Sequence, residues 1–340
     1  MTKIIEEGKA RIKIYSGKIS KKLSVFYNPN MKLNRDISVL VLNTLHDKKL
    51  RMALPLAGSG VRGVRFLLEL DDDKITELIF NDSSLDAIEN IKSNLELNKL
   101  KDFDKIIIAN KDANRFLLES SGFNYIDIDP FGSPNPFLDI AVKRMSRGGV
   151  LAVTATDTAP LCGTYPKTCL RKYWAKPLRN ELKHEIGLRI LIRKVQLIGA
   201  QYEKALVPVL SYWNLHYFRI FFRCVKGKKK VDDLIKMHGN FQEAGPMWLG
   251  GLFDAKLMAE IESGNNFVQL LKQESLIEVP FFFDIHQICK REKLQIPRKD
   301  KIAENILKQG FKVSNTHFSP EALKTDMAYD LFVNLLRSLQ

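Results

Sequence analysis

"NYIDIDPFGSPNPFLD", residues 124–139, runs as an apolar stretch carrying two acids, then turns through Pro-Phe-Gly toward two more prolines. "YIDID" has the alternation of a β-strand. A strand that ended only to turn would do well with Asn-Gly. This one ends on an acid, Asp129, a rigid corner, Pro130, an aromatic ring, Phe131, and a residue with no side chain, Gly132. Proline fixes φ and removes a donor, so the corner holds its shape. "PFLDIAVKRM" then has the spacing of a helix. The stretch is one strand–loop–helix unit.

The same unit repeats on both sides. "RMALPLA" leads to "GSGVRGVRFLLEL", "ITELIF" to "NDSSLDAIENIKSNLELN", and "KIIIAN" to "KDANRFLLES"; "GGVLAVTAT" follows the corner. Apolar strands alternating with amphipathic helices predict an α/β fold, a doubly wound Rossmann-like parallel sheet. Upstream, "NRDISVLVLNTLHDKK" is helical in spacing. The alternating "ARIKIY" and "LSVFYN" read as a β-hairpin extension leading into Pro29. Downstream, the basic helical stretch "LRKYWAKPLRNELKHEIGLRILIRKVQLIGAQYE" precedes a strand pair, "ALVPVLSYW" and "HYFRIFFRCV".

A chain of 340 residues predicts two domains. "KGKKK" at 226–230 breaks the pattern, so the expected division is 1–225 and 231–340. The second, smaller α+β domain ends in three helix-like segments, "DIHQICKREKL", "KDKIAENILKQG" and "PEALKTDMAYDLFVNLLR". Placed around "FKVSNTHFS", they suggest a winged-helix-like module.

Composition narrows the function classes. No run approaches the ~18 apolar residues of a membrane span, and "MTKIIEEGKARIKIY" lacks a signal-peptide core. No membrane partner and a cytoplasmic location are therefore expected. The 53 Lys and Arg against 39 acids give +14, which points to a polyanionic partner, nucleic acid above all. Cys162, Cys169, Cys224 and Cys289 are scattered, so neither a disulfide framework nor a structural zinc site is expected.

In doubly wound sheets the ligand binds beyond the carboxyl ends of the strands, at the switch point. The unusual residues all fall at such ends. Gly58 and Gly60 let backbone approach a ligand closely, and without a following Gly-Lys-Ser/Thr they form no P-loop. Asp82 lies 22 residues beyond Gly60, where an acid accepts the hydroxyls of an adenosine ribose. Asp112, with the backbone of Ala113, is placed to contact an adenine edge. Either acid alone is as well read as a helix cap; three such ends in order are not.

The fourth strand end decides between a dehydrogenase and a transferase. Hydride transfer has no use for Asp129-Pro130-Phe131-Gly132, and no catalytic His/Arg pair lies near the strand ends. Methyl transfer to an exocyclic amine uses all of it. The nitrogen lone pair is delocalised into the ring. A carboxylate and main-chain carbonyls must hold the N–H groups so that the lone pair faces the sulfonium methyl. The aromatic ring stacks on the base.

"DPFGSPNPFLD" is very similar to the signature of the tRNA guanine-26 N2-dimethyltransferase family, which uses S-adenosylmethionine. "VFYNPNMKLNRDISV", "GSGVRGVRF", "LCGTYPKTCLRKYWAKPLRNELKHEIGLRIL", "GPMWLGGL" and "THFSPEALKTD" resemble further family blocks in family order, from about residue 6 to 327. The resemblance, to an archaeal-like member, implies roles. Arg35 and Arg65 match cofactor contacts, as do Asp82, Asp112 and Ala113. Asp129 matches the catalytic acid, with Phe131 stacking on the target guanine and Phe26 as a second wall of the pocket. It implies tRNA as partner. Lys167, Arg171, Lys172, Lys176, Arg179 and Lys183, spaced 4, 1, 4, 3 and 4 apart, are then expected mostly on one helical face as its docking surface. "KGKKK", Arg291, Lys293 and Arg298 extend that surface.

Two departures stand out. An apolar residue replaces the acid that relatives often carry before the glycine turn ("ALPLAGSG"). Many relatives also carry a four-cysteine zinc site where this chain reads "KGKKKVDDLIKMHGNFQEAGPMWLGG", with no cysteine, so no metal is expected. The competing readings are an amino-methyltransferase for another guanine or adenine in RNA or DNA, and a non-catalytic RNA-binding protein with a decayed site.

Overall fold

A computed structural model of the chain describes residues 2–15, 25–47, 49–100 and 104–340. Two compact units emerge: Met1–Thr156 with Gln196–Val207 and Arg219–Asp232, and Asp157–Val195 with Pro208–Phe218 and Asp233–Gln340. The chain passes between them more than once, and the boundary expected at 226–230 lies just before the last of these passages.

The first unit opens with a hairpin, β1 (Thr2–Glu7) and β2 (Ala10–Tyr15), turning at Gly8 with φ +59. The expected pairing of "ARIKIY" with "LSVFYN" is thus corrected, because the partner of "ARIKIY" is "TKIIEE". Val25–Asn28 is not in a strand, and Leu23 and Ser24 lie outside the described residues. Then come α1 (Lys32–Thr44), β3 (Leu50–Leu54), α2 (Val61–Glu69), β4 (Ile75–Asn81), α3 (Leu85–Leu97) and β5 (Ile106–Ala109). α4 (Ala113–Glu119), β6 (Phe123–Ile128), α5 (Asn135–Arg144) and β7 (Met145–Ala155) complete the alternation. β2 docks on α3, where the amides of Asn94 and Asn90 take up the Lys13 N–H at 2.7 Å and its carbonyl at 3.2 Å. An edge that would otherwise be open is closed by side chains.

The chain continues through α6 (Thr158–Leu161), α7 (Pro166–Tyr173), α8 (Lys183–Ala200), β8 (Lys204–Asn214), β9 (Tyr217–Lys226) and α9 (Lys228–Ile235). "KGKKK" therefore opens a helix. The main sheet has seven strands in the order β5-β4-β3-β6-β7-β9-β8, with β5-β4, β4-β3, β3-β6 and β6-β7 parallel. Its central strands are buried on both faces: Tyr125, Ile126 and Ile128 on β6, Leu151 to Val153 on β7. Each such aliphatic contributes roughly 1.5–3 kcal/mol. The order reverses between β3 and β6, so the switch point lies at Gly58 and Asp129.

In the second unit, β10 (His238–Phe241) and β11 (Ala244–Trp248) form a hairpin, followed by α10 (Ala255–Glu260) and α11 (Asn266–Glu274). β12 (Phe283–Asp284), α12 (Ile285–Glu292), α13 (Lys299–Lys308), β13 (Val313–Thr316), β14 (Ser319–Thr325) and α14 (Tyr329–Ser338) form the C-terminal module. Its sheet runs β12-β14-β13, and Ile288, Ile302, Ile306, Leu323 and Phe332 fill its core. This is the winged-helix-like arrangement expected, with one correction: "PEALKT" is strand β14, and only "YDLFVNLLRS" is helical.

A buried ion cluster ties this module together. Glu274, fully buried, accepts from Thr316 Oγ1 at 3.0 Å and His317 Nδ1 at 2.6 Å, with Lys324 Nζ 3.7 Å away. His317 Nε2 lies 3.3 Å from the Trp213 backbone nitrogen. Burial pushes the Glu274 carboxyl up, but His317 and Lys324 outweigh it and hold the group down at about 2. None of the described helices is long and apolar enough to cross a membrane.

Candidate active site at the strand ends

The carboxyl ends of β3, β4 and β5 are stitched together by one buried amide. Asn81 donates to the carbonyls of Pro55 at 2.9 Å and Lys111 at 3.0 Å, and accepts from the Lys111 N–H. On this frame the glycine turn takes shape: Gly58 has φ +54 and Gly60 φ +76. A Cβ on Gly60 would meet Ile91 of α3 at 2.9 Å, so the turn needs glycine for packing as well as for conformation.

Asp82 faces that turn directly. Its Oδ2 accepts from the Gly58 N–H at 2.9 Å and its Oδ1 from the Ser84 N–H at 3.0 Å. The cap of α3 is Ser84, not Asp82. Asp112 does cap α4, accepting from Asn114 N and Arg115 N at 3.0 Å each, and remains exposed beside buried Ala113. Asp82 thus bonds the glycine turn directly, while Asp112 stands at the neighbouring strand end as a helix cap.

The corner after β6 is fixed from behind. The Gly132 N–H donates to Thr156 Oγ1 at 2.7 Å, and the Thr156 N–H returns to the Gly132 carbonyl at 2.9 Å. Gly132 has φ +78, with nothing near where a Cβ would sit, so its requirement is conformational. Phe131 is 44% exposed, and its ring meets Phe26 edge to face with centroids 4.2 Å apart. The two aromatic residues assigned to one pocket do lie together.

Asp129 is partly exposed, and one of its oxygens is claimed: Arg62 Nη2 donates to Oδ2 at 2.5 Å. Among the described residues Oδ1 has no hydrogen bond. Arg62 is itself buried, bonded to Ser38 Oγ at 2.8 Å and Asn34 Oδ1 at 2.9 Å, and lies 3.5 Å from Asp127. Asp127 is held by Arg219 from β9 at 2.7 and 2.8 Å and by the Tyr125 hydroxyl at 2.5 Å. Burial raises the Asp127 carboxyl, yet Arg219 and Arg62 overcome it and keep the group below its ordinary value. This network, Arg62–Asp127–Arg219, is absent from the sequence reading. The one available signal is Asp127 itself, a charge inside an otherwise apolar strand.

The two arginines matched to the cofactor are placed differently. Arg35, buried, binds Glu7 through Nε and Nη2 at 2.6 Å each and the Asn28 carbonyl at 3.1 Å. Arg65 binds Glu7 at 3.1 Å, Asp36 at 2.5 Å and Glu69 at 2.7 Å. Burial opposes the charged form of Glu7, but Arg35, the Tyr27 hydroxyl and Arg65 bring it to about 2. Both guanidiniums are thus held in place by acids of the same unit.

The basic residues of the second unit are also redistributed. Lys167, Arg171 and Lys172 lie on α7, Lys183 opens α8, and Lys176 and Arg179 sit between the helices. They do not share one helical face, because α7 ends at Trp174 in the left-handed region and Pro177 follows. All but Lys183 are exposed; Lys172 lies 3.4 Å from Asp157 and Lys176 3.0 Å from Glu243. Among the described residues no cluster of three or more His, Cys, Asp or Glu is placed to hold a metal ion.

Comparison with known proteins fits this geometry. A family model described as N2,N2-dimethylguanosine tRNA methyltransferase matches residues 3–243 and 235–337. The chain belongs to this family. The tRNA (guanine(26)-N(2)/guanine(27)-N(2))-dimethyltransferase of Aquifex aeolicus is 37% identical over 99% of this chain and 96% of its own. The tRNA (guanine(26)-N(2))-dimethyltransferase of Pyrococcus furiosus is 38% identical over 98% of each chain. The structure of Trm1 from Pyrococcus horikoshii, solved with S-adenosyl-L-methionine, has a TM-score of 0.87 at 36% identity, covering 98% of this chain and 99% of that one.

Proposed function

We propose that this N2,N2-dimethylguanosine tRNA methyltransferase family member methylates the exocyclic N2 of guanine 26 in tRNA, twice in succession, giving N2,N2-dimethylguanine. The observation that carries the reading is the corner at β6: a carboxylate with one oxygen anchored and the other open, beside an aromatic pair. The strand ends fit S-adenosylmethionine by donor chemistry. Asp82 and Asp112 are acceptors for ribose hydroxyls and an adenine edge, Ala113 lies beside Asp112, and Gly58 and Gly60 let backbone come close. When bound, that cofactor supplies an electrophilic methyl group on a sulfonium.

The chain's own residues do the rest. Anchored through Oδ2 by Arg62, Asp129 offers Oδ1 to an N–H of the amino group and takes the proton the nitrogen sheds. Pro130 and Phe131 add carbonyls in a fixed geometry, turning the nitrogen lone pair out of conjugation. Extruding a base from folded tRNA costs a few kcal/mol, and stacking on Phe131 offsets ~1–3 kcal/mol of it. Arg35 and Arg65 are assigned to the cofactor as well, and they brace the segment before α1: Arg35 bonds the Asn28 carbonyl, and both hold Glu7, which accepts from the Tyr27 hydroxyl. Lys167, Arg171, Lys172, Lys176, Arg179 and Lys183 give tRNA phosphates a sequence-independent grip. The first unit is assigned to cofactor and base, the second to tRNA.

Labelled S-adenosylmethionine with unmodified tRNA transcripts, followed by nucleoside analysis, tests the reading. Wild type should yield N2,N2-dimethylguanosine at position 26, and Asp129→Ala should lose ~10²–10⁴-fold in rate while still binding the cofactor. Label in a different nucleoside would overturn the substrate. Guanine 27 is the second reading, motivated by the Aquifex aeolicus relative, whose name includes it; position mapping separates the two.

A further inference from the structure

Between α7 and α8 the second unit carries Trp174 with φ +57, a conformation a bulky side chain adopts only where the surroundings impose it. Its indole is 48% exposed, and the ammonium of Lys194 lies 2.8 Å from the ring centroid. Lys194 is 5% exposed and, among the described residues, has neither an ion pair nor a hydrogen bond. Arg193 beside it donates to the Trp174 carbonyl at 3.4 Å, and its buried Nε has no partner.

This is unlike the other buried cations. Arg35, Arg62, Arg65, Arg189 and Arg219 each face a carboxylate. Lys324 lies near Glu274, and Lys74 donates to the Leu45 carbonyl. Lys194 faces an aromatic ring and a second cation. Burial and the charge of Arg193 together lower it to about 8, the signature of positive charge short of an anion. Helix α7, which leads into Trp174, carries exposed Tyr165 and Leu170 among Lys167, Arg171 and Lys172. Aromatic rings interleaved with cations are what an unpaired RNA strand needs.

We propose that Trp174, Lys194 and Arg193 form a second RNA subsite, distinct from the strand-end pocket. An unpaired base stacks on the indole face opposite Lys194, and an adjacent backbone phosphate pairs with Arg193, drawn also by the Lys194 charge behind the ring. The proposal rests on tRNA being the substrate and adds a point of contact outside the target guanine.

The test uses the full chain and unmodified tRNA transcript, comparing wild type with Trp174→Ala, Trp174→Phe and Lys194→Met. Measured are tRNA affinity across a salt series, KM and kcat for methylation, and melting temperature. Trp174→Ala should weaken tRNA binding about 10-fold or more and raise KM for tRNA in step. Trp174→Phe should recover most of that loss. Lys194→Met should lower the slope of log affinity against log salt by about 1. Unchanged affinity in Trp174→Ala would overturn the subsite. So would affinity lost only in step with melting temperature, with the Lys194→Met slope as in wild type. Binding is read without turnover, so a wild type that binds tRNA but methylates another nucleoside would sink the proposed function and leave this inference standing.

Discussion

Asp127 in the first unit and Glu274 in the second are built alike. Each is a carboxylate shut away from solvent, held by two cationic or protonatable groups and one hydroxyl: Arg219, Arg62 and Tyr125 for the former, His317, Lys324 and Thr316 for the latter. They differ in where the network ends. From Glu274 it runs through His317 to the backbone N–H of Trp213 and stops. From Asp127 it runs through Arg62 to Asp129, which keeps one oxygen open at the site. The same interior chemistry ends on backbone in one unit, as a staple, and, in the other, on the carboxylate to which the proposed function gives the proton transfer.

The largest expected effect breaks the first network. Asp127→Ala leaves fully buried Arg219 without its carboxylate, and removing one partner of a buried pair costs ~3–5 kcal/mol. Urea unfolding measures this. The comparison predicts that activity falls as well when assayed on the folded fraction, because Arg62 loses a partner. A loss of stability with the folded fraction fully active would reduce the network to a staple like the other.

Glu274→Gln probes the staple. The folded-state value of about 2 lies below the ordinary 4.5, so Glu274 contributes stability above pH 4.5 that is lost as pH falls through about 2. The stake is about 3 kcal/mol. Stability of the variant should depend less on pH across that window, while kcat at neutral pH stays at the wild-type level. Glu7, also near 2, keeps its own acid dependence in both proteins. A fall in kcat at neutral pH would break the distinction drawn here.

The smallest effect sharpens the open end. Phe131→Ala removes the ring beside Asp129 and should cost ~1–3 kcal/mol in kcat/KM for tRNA, with Phe131→Tyr recovering most of it. Melting temperature should barely move, since Phe131 is exposed. Equal kinetics in Phe131→Ala would mean that the base is held by other groups.

These contrasts follow what was legible in the sequence. The alternating strands and helices, the glycine turn and the corner are local patterns, and the sheet places them where the spacing predicts. Asp82 and Asp112 were legible because strand ends in this topology converge. The Arg62–Asp127–Arg219 network was not: Arg219 reaches Asp127 from β9, and nothing local links them. The acidic partners of Arg35 and Arg65 were not legible for the same reason, since Glu7, Asp36 and Glu69 come from three separate elements to meet them. The division of the basic residues was readable in part. Pro177 is a helix breaker in plain view, but the left-handed Trp174 that ends α7 is not.

Phe26 touches both halves of the strand-end site. Its ring lies against Phe131, and its carbonyl comes within 3.3 Å of where a Gly58 Cβ would stand. The glycine turn and the base wall therefore share a hinge pin. A side chain added at Gly58 would therefore press first on the backbone that carries the aromatic wall, so one substitution in the turn reaches both halves of the site.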